Sequence, residues 1–231
     1  MINQDKEIIE AVISNDSAKL IDLIKDGINI NFISDEKGSP LLLAVLKGHY
    51  EIVDILLKNK VDIHIDNESA LYGAIIKGYT SIVEKLINHG ADIHIYNDSA
   101  LHAAAFHNRL EIVDLLIKNG ADIHSLENKA IINAVMNNHI DVVKLLMDNK
   151  ANIHTLDDFS IKYAVSNGYN EIVKTLINDY DINISVETKN YFLKNKNSFV
   201  LDLIDKREND RKLIMNDDVK LKSKLNTQPL I

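Results

Sequence analysis

The sequence predicts an all-α solenoid of stacked helix-turn-helix units with short β-hairpin or loop fingers between them. The first observation is a repeat: the tetrapeptides VDIH, ADIH, ADIH and ANIH begin at residues 61, 91, 121 and 151, thirty residues apart. A fixed period of about 20 to 50 residues is typical of repeat proteins, whose units bury apolar surface by stacking on each other. The second is helical spacing of apolar residues between the tetrapeptides, in a chain with no Trp and only two Pro.

Each unit contains two helices separated by a turn. In one unit, helical spacing covers residues 99–107 and 110–119 and is interrupted at Asn108-Arg109. Three other units carry a glycine at this interruption, a residue that favours turns. These pairs are Gly48-His49, Gly78-Tyr79 and Gly168-Tyr169.

The predicted helix starts carry capping signals. A serine before a first helix can accept a hydrogen bond from an otherwise unpaired backbone N–H, and the predicted N-caps are Ser39, Ser69 and Ser99. Pro40 follows at the first helical position, where proline is well tolerated. Acidic residues suit the positive end of the second-helix dipole, and they are Glu51, Glu111, Asp141 and Glu171.

The ends of the second helices differ between units. Gly90 and Gly120 stand where a left-handed backbone commonly terminates a helix, whereas Lys60 and Lys150 stand there in two other units. A side chain in that conformation costs about 1–2 kcal/mol. We therefore expect these two junctions to be the weakest.

Both helices of a unit present packing surfaces. The second helices, such as EIVDILLKN and EIVDLLIKN, have Ile or Val at positions two and three and Leu or Ile at six and seven, which predicts one buried stripe. The first helices share a small residue that allows close helix approach. It is Ala44, Ala74, Ala104, Ala134 and Ala164.

These units resemble the ankyrin repeat. Residues 39–64, SPLLLAVLKGHYEIVDILLKNKVDIH, follow the family pattern that begins T-P-L-H-x-A, and four further segments repeat it. The resemblance implies a partial N-terminal capping repeat at 1–34 and five central repeats at 35–186. A degenerate C-terminal capping repeat at 187–215 and a flexible tail at 216–231 complete the predicted organisation.

Most of the fingers depart from the family pattern in length. The connection from Asn31 to Leu41 has the full family length, but the one from His94 to Leu101 is three residues shorter, as are its counterparts in the other repeats. Such 30-residue repeats resemble those of large DNA viruses of amoebae, which would place the protein inside a host cell.

Composition excludes several classes of protein. The longest apolar run has six residues, against roughly 20 for a membrane-spanning helix, and the N-terminus lacks a secretory signal pattern. The absence of Cys fits a cytoplasmic or otherwise intracellular location. Residues 206–224 carry a net charge of +3, which leaves −11 for the rest of the chain and disfavours nucleic-acid binding. We expect no membrane contact and a monomer.

The sequence gives no sign of catalysis. It contains no G-x-G-x-x-G, G-x-x-x-x-G-K-[ST], G-x-S-x-G or H-E-x-x-H motif and no Cys nucleophile. We therefore predict that the protein is not an enzyme and uses no cofactor.

The recurring finger histidines, His64, His94, His124 and His154, raise the alternative of a metal site. Stacked repeats place equivalent atoms about 8–10 Å apart, too far for two of them to share an ion at ligand distances of about 2 Å. We expect each of these side chains to bond the backbone of the neighbouring finger instead.

A modification site is an alternative reading of two of them. Hydroxylated ankyrin repeats, as the resemblance implies, present a Leu eight residues ahead of an acidic-apolar-Asn/His end. Leu86 with His94 and Leu116 with His124 fit this spacing. The competing explanation, that both leucines are core residues, is favoured.

The resemblance also implies a binding face. In ankyrin proteins the two residues before the Gly-His turn project onto the concave face, where partners dock. Here these pairs are Leu46-Lys47, Ile76-Lys77, Phe106-His107, Met136-Asn137 and Ser166-Asn167. Four of the five first positions are apolar, and a contiguous exposed apolar stripe marks interaction sites. Partial burial against the adjacent repeat would explain the same pattern.

The predicted function is a non-enzymatic protein–protein interaction module that binds a protein partner on its concave face. One alternative is an adaptor whose repeats select a substrate while its C-terminal segment recruits a ubiquitin ligase. Another is a self-associating component of a particle.

Overall fold

The computed structural model describes residues 2–35 and 37–225 and is built from helices in two compact units, one up to Ala151 and one from Asn152 onward. This division falls within the predicted five-repeat block at 35–186. The described part of the first unit comprises α1 (Ile2–Ile13), α2 (Ser17–Lys25), α3 (Pro40–Lys47), α4 (Tyr50–Lys58), α5 (Ser69–Lys77), α6 (Thr80–Asn88), α7 (Ile95–Phe106), α8 (Leu110–Lys118), α9 (Ser125–Met136) and α10 (Ile140–Asp148). The second comprises α11 (Thr155–Ser166), α12 (Asn170–Lys174) with a π-helical turn at Thr175–Asp179, α13 (Val186–Lys194) and α14 (Ser198–Leu225).

The first unit consists of two helical layers. Helices α1, α3, α5, α7 and α9 pack side by side in this order and form what we call the first-helix layer. Each packs on the helix that follows it in sequence, and α2, α4, α6, α8 and α10 form the second-helix layer. The all-α class and the helix-turn-helix repeat are therefore confirmed.

The core is formed by positions two, three and six of the predicted stripes, whereas position seven is buried in α4 and half-buried in α6, α8 and α10. In α4, Ile52, Val53 and Leu56 are fully buried, and the equivalent residues of α6, α8 and α10 are 0–1% exposed. The five first-helix alanines are also fully buried. Because an alanine lets two backbones approach closely, this position sets the spacing between neighbouring first helices.

Of the three predicted serine caps, only one is correct. The Oγ atom of Ser39 accepts from the Leu42 N–H at 3.1 Å, and Pro40 begins α3. The hydroxyls of Ser69 and Ser99 instead donate to the backbone oxygens of Asp66 and Ile95. The shorter connections leave both serines inside a turn, so their side chains do not face an open helix end.

The short fingers are closed by left-handed turns. In α7 the three residues Tyr96, Asn97 and Asp98 have φ values of 51 to 56°, and right-handed helix follows from Ser99. The same conformation occurs at the starts of α9 and α11. By contrast, the full-length finger contains an antiparallel bridge between Ser34 and Gly38, the one isolated bridge in the described residues.

The second unit ends in a helix pair. Phe192 of α13 and Val200 of α14 are fully buried, and Arg207 donates to the Ile182 carbonyl at 2.5 Å. Arg211 forms an ion pair with Asp181. Helix α14 continues to Leu225, so the predicted flexible tail at 216–231 begins within it, and residues 226–231 lie outside the described range.

None of the described helices combines the length and the apolar character that crossing a bilayer requires.

Candidate protein-binding face

Four of the predicted binding residues lie at the C-terminal ends of neighbouring first helices. Leu46 and Ile76 are each 42% exposed and Phe106 is 48% exposed, although the residue that precedes each of them on its helix is fully buried. Met136, at the end of α9, is less exposed than these three: it is half-buried and makes further contacts. We call these four residues the apolar stripe. The structure supports exposure for three of them and partial packing for the fourth.

The residues that follow the stripe are polar. Lys47 and Lys77 are exposed, whereas His107 and Asn137 are half-buried. The His107 ring meets the Phe106 ring edge-on, with centroids 5.0 Å apart. Asn137 donates from Nδ2 to the Asn133 carbonyl at 2.9 Å, so its side chain is engaged by its own helix.

The fifth predicted pair belongs to the second unit and has a different character. Ser166 and Asn167 are both exposed. The Ser166 hydroxyl lies 3.1 Å from the Tyr191 hydroxyl, and the Lys162 ammonium lies 5.8 Å from the centre of the Tyr191 ring. The surroundings of Ser166 are therefore aromatic and polar rather than aliphatic.

Two residues that the sequence did not single out hold the stripe in place. Arg109 donates from Nη2 to the Ile76 carbonyl at 2.6 Å, and His139 Nε2 lies 3.0 Å from the Phe106 carbonyl. Both carbonyls are at the C-terminus of a helix, where side-chain N–H donors pair with carbonyls that have no partner within the helix. Their sequence signal is position alone, since each stands three residues after the last residue of the first helix in its own unit.

The finger histidines do not make the predicted bonds to the neighbouring finger. Instead, each Nδ1 atom faces the side chain four residues later, because the left-handed turn brings that side chain back to the ring. The pairs are His94 with Asp98 at 2.8 Å, His124 with Asn128 at 3.0 Å, His154 with Asp158 at 2.6 Å, and His64 with Glu68.

Other groups make the bonds between fingers. The Asp98 carboxylate accepts from the Asp122 N–H at 3.0 Å, and Ser125 donates to the Asn97 carbonyl at 2.7 Å. Asn31, which stands in the histidine position of the first repeat, accepts from the Asp62 N–H at 2.8 Å. The expected bond to the backbone of the neighbouring finger is therefore made by Asn31 in one repeat. In another repeat it is made by Asp98, the side chain that pairs with His94.

Two buried titratable groups have shifted pKa values. Burial lowers the pKa of His102 below its ordinary value, and the nearby Asp98 carboxylate opposes the shift without cancelling it. Burial alone would raise the pKa of Asp158, but hydrogen bonds from Thr188, His154 and Ser185 and the His154 charge lower it. Thr188 donates to Asp158 at 2.6 Å.

Metal binding and hydroxylation are the other two site chemistries that the sequence raised. In the part of the chain that it describes, no group of three or more His, Asp or Glu side chains could hold a metal ion. The His94 side chain, a candidate for hydroxylation with His124, is 55% exposed. Leu86 and Leu116, the residues that would mark those sites, are 1% and 0% exposed and pack in the core.

The chain is similar to known ankyrin proteins in sequence and fold. A family profile described as ankyrin repeats in three copies matches residues 8–97, 41–127 and 101–188. The crystal structure of the ankyrin repeat domain of Bcl-3, a member of the IκB protein family, matches 74% of this chain and 84% of that one, with a TM-score of 0.64 and 23% identity. No curated protein sequence matches significantly.

Together the three profile matches span residues 8–188, well over half of the chain, and agree with the layered repeats described above. Ankyrin repeats are interaction scaffolds, and their surfaces typically bind other proteins. The chain belongs to the ankyrin-repeat family.

Proposed function

We propose that the protein is a non-enzymatic module that holds a protein partner on the exposed, predicted concave face of the first-helix layer. One observation carries the proposal: Leu46, Ile76 and Phe106 are large apolar side chains, exposed at one repeat position on three adjacent helices. A run of exposed apolar residues on a repeating scaffold is typical of interaction sites.

The stripe also has the composition of a binding interface. A few apolar or aromatic anchors supply most of the affinity in protein complexes, while polar neighbours exclude water and set orientation. In this proposal Phe106 is the central anchor and Met136 adds apolar surface. Lys47, Lys77, His107 and Asn137 form the polar rim.

The proposal is tested by affinity capture from amoebal lysate, the source that the repeat length suggests, with mass-spectrometric identification. The variant Ile76→Asp, Phe106→Asp changes two exposed positions and should keep its helicity. Ile21→Asp is a matched control, because Ile21 is 37% exposed and lies on α2 in the second-helix layer.

We expect the wild type and the control to retain the same partner and the double variant to lose it. Retention of that partner by a folded double variant would show that the stripe does not bind it.

A second candidate function, substrate adaptor for a ubiquitin ligase, is favoured by one observation. Leu213, Ile214 and Met215 on α14 are 63%, 63% and 68% exposed. Truncation after Arg211 removes them and keeps the Arg207 and Arg211 contacts that hold the second unit together. If the adaptor function is correct, this truncation abolishes association with ligase components while leaving partner capture unchanged.

A further inference from the structure

The first unit contains a groove that is lined in part by Leu46 and Ile76 of the apolar stripe. It has a volume of about 630 Å³ and lies between α3, α5, the finger that precedes α5 and the left-handed start of α7. Leu42, Leu46, Ile76 and Tyr96 contribute apolar walls, and Asp66 lies at its finger end. The Tyr96 ring is 64% exposed. The groove therefore combines open apolar walls with a single acidic group.

Gly73 creates the space for these walls. The same first-helix position holds Leu43, Ala103 and Asn133 in the other repeats of this unit. A Cβ atom at Gly73 would lie 3.2 Å from Leu46 Cδ2 and 3.5 Å from Leu42 Cδ1. A glycine within a helix costs about 1 kcal/mol relative to alanine. Because Gly73 has no side chain, the Leu42 and Leu46 side chains have room to lie against α5.

Tyr72 lines the groove and is half-buried. Burial raises the pKa of Tyr72 above the ordinary value for a tyrosine. An apolar side chain that enters this space would contact leucine, isoleucine and tyrosine surfaces. The groove thus suits one large aliphatic or aromatic side chain.

The Asp66 carboxylate is the acidic group that a ligand in the groove would have to pair with. Its Oδ2 atom accepts from the Ser39 hydroxyl at 2.6 Å, while Oδ1 is shielded from solvent and has no hydrogen-bond partner among the described residues. A shielded carboxylate oxygen without a donor is unfavourable, and the strongest donors to it are ammonium and guanidinium groups. Lys47 and Lys77 do not line the groove.

We infer that this groove binds a partner segment in which a large apolar side chain stands beside a lysine or arginine. The inference deepens the proposed function and rests on it. A small side-chain movement at Asp66 exposes Oδ1 to the incoming cation, while the apolar side chain fills the space above Gly73. The chain outside residues 206–224 has a net charge of −11, so its overall field also attracts a basic segment.

The test uses two small probes of similar shape and opposite charge, 2-phenylethylammonium and 3-phenylpropanoate, titrated into the full chain and followed by NMR chemical shifts. We expect the ammonium to bind about tenfold more tightly, with the largest shifts at the groove residues. Asp66→Asn should remove the preference. Asp114→Asn, a change on the distant helix α8, should leave it intact.

Two further variants separate loss of the groove from loss of folding. Gly73→Leu fills the groove and should abolish binding of both probes, whereas Ala103→Leu, the same change one repeat later, should not. If Gly73→Leu unfolds, Tyr96→Ala removes an exposed wall and should weaken the ammonium at least several-fold.

Equal binding of the two probes, tighter binding of the carboxylate, or no binding of either would overturn the inference. So would an ammonium preference that survives Asp66→Asn. None of these outcomes alters partner capture through Phe106, so the groove and the proposed function can fail separately.

Discussion

At the scale of single residues, two lysines hold a backbone conformation that suits glycine. Lys60 and Lys150 have φ values of 58° and 71°, and the glycines at the same position, Gly90 and Gly120, have φ values of 96° and 93°. No atom lies within 4 Å of a Cβ added to either glycine. The difference between the repeats is therefore conformational strain and not steric overlap.

Replacing these lysines should stabilise the fold. Lys60→Gly and Lys150→Gly each relieve a left-handed side-chain conformation, offset in part by the larger unfolded-state entropy of glycine, for a net gain of about 0.5–1 kcal/mol. Urea unfolding followed by circular dichroism measures the gain. The reverse change, Gly120→Lys, should lower stability by a similar amount, and a neutral outcome in both directions would refute the strain argument.

His102 should make the first unit sensitive to mild acid. Its folded-state pKa is lowered by burial, so the folded protein keeps the ring neutral at pH values where the unfolded chain protonates it. The stability that this provides is present above the unfolded pKa of about 6.5 and is lost as the pH falls below it.

The variant His102→Ile tests this dependence, because Ile132 is buried at the same position of the next repeat. Unfolding free energies of the variant and the wild type are compared between pH 7.5 and pH 5, a range of about one unit or more on each side of 6.5. We expect the variant to lose less stability on acidification. Parallel curves would contradict a lowered pKa for His102.

At the scale of elements, adjacent repeats are joined by side chains that reach back to the preceding first helix. Arg109 reaches the end of α5 and His139 reaches the end of α7. The guanidinium carbon of Arg109 would lie 2.9 Å from a Cβ added to Gly78, so this glycine also makes room for the contact. These contacts fix the helix ends that carry Ile76 and Phe106.

Removing the Arg109 contact should loosen the end of α5 specifically. Arg109→Ala should cost about 1 kcal/mol, as expected for a partly exposed hydrogen bond from a charged donor. Hydrogen exchange should accelerate first at the last amides of α5 and at Gly78. Lys118→Ala, which removes an exposed ion pair within α8, serves as the control, and unchanged exchange in α5 would show that the bond does not hold the helix end.

The sequence predicted this repeating architecture well because the helix periodicity, the buried alanines and the Gly turns are local signals. It failed where connection length changes geometry. Ser69 and Ser99 share the residue type of Ser39 but lie in short, left-handed connections, and the finger histidines turn toward side chains that sequence spacing does not place beside them. The partial burial of Met136 and the groove at Gly73 depend on neighbouring helices, so no local signal reveals them.

At the scale of the molecule, function depends on which exposed face carries apolar surface. In the first unit the first-helix layer presents Leu46, Ile76 and Phe106 at one repeat position. Its second helices bury most of their apolar stripes, leave charged residues such as Glu84 and Glu111 exposed, and expose isolated apolar residues such as Ile21 and Tyr50. A protein partner that buries apolar area gains most on the first face. We therefore expect the partner to contact this face and not the second-helix layer.

Site-specific photo-cross-linking distinguishes contact through the two faces. A benzophenone amino acid is placed at Ile76 on the stripe in one protein and at Ile21 on the second-helix layer in another, and both are irradiated with the captured partner. We expect a covalent adduct from position 76 and none from position 21. An adduct from position 21 with none from position 76 would contradict it.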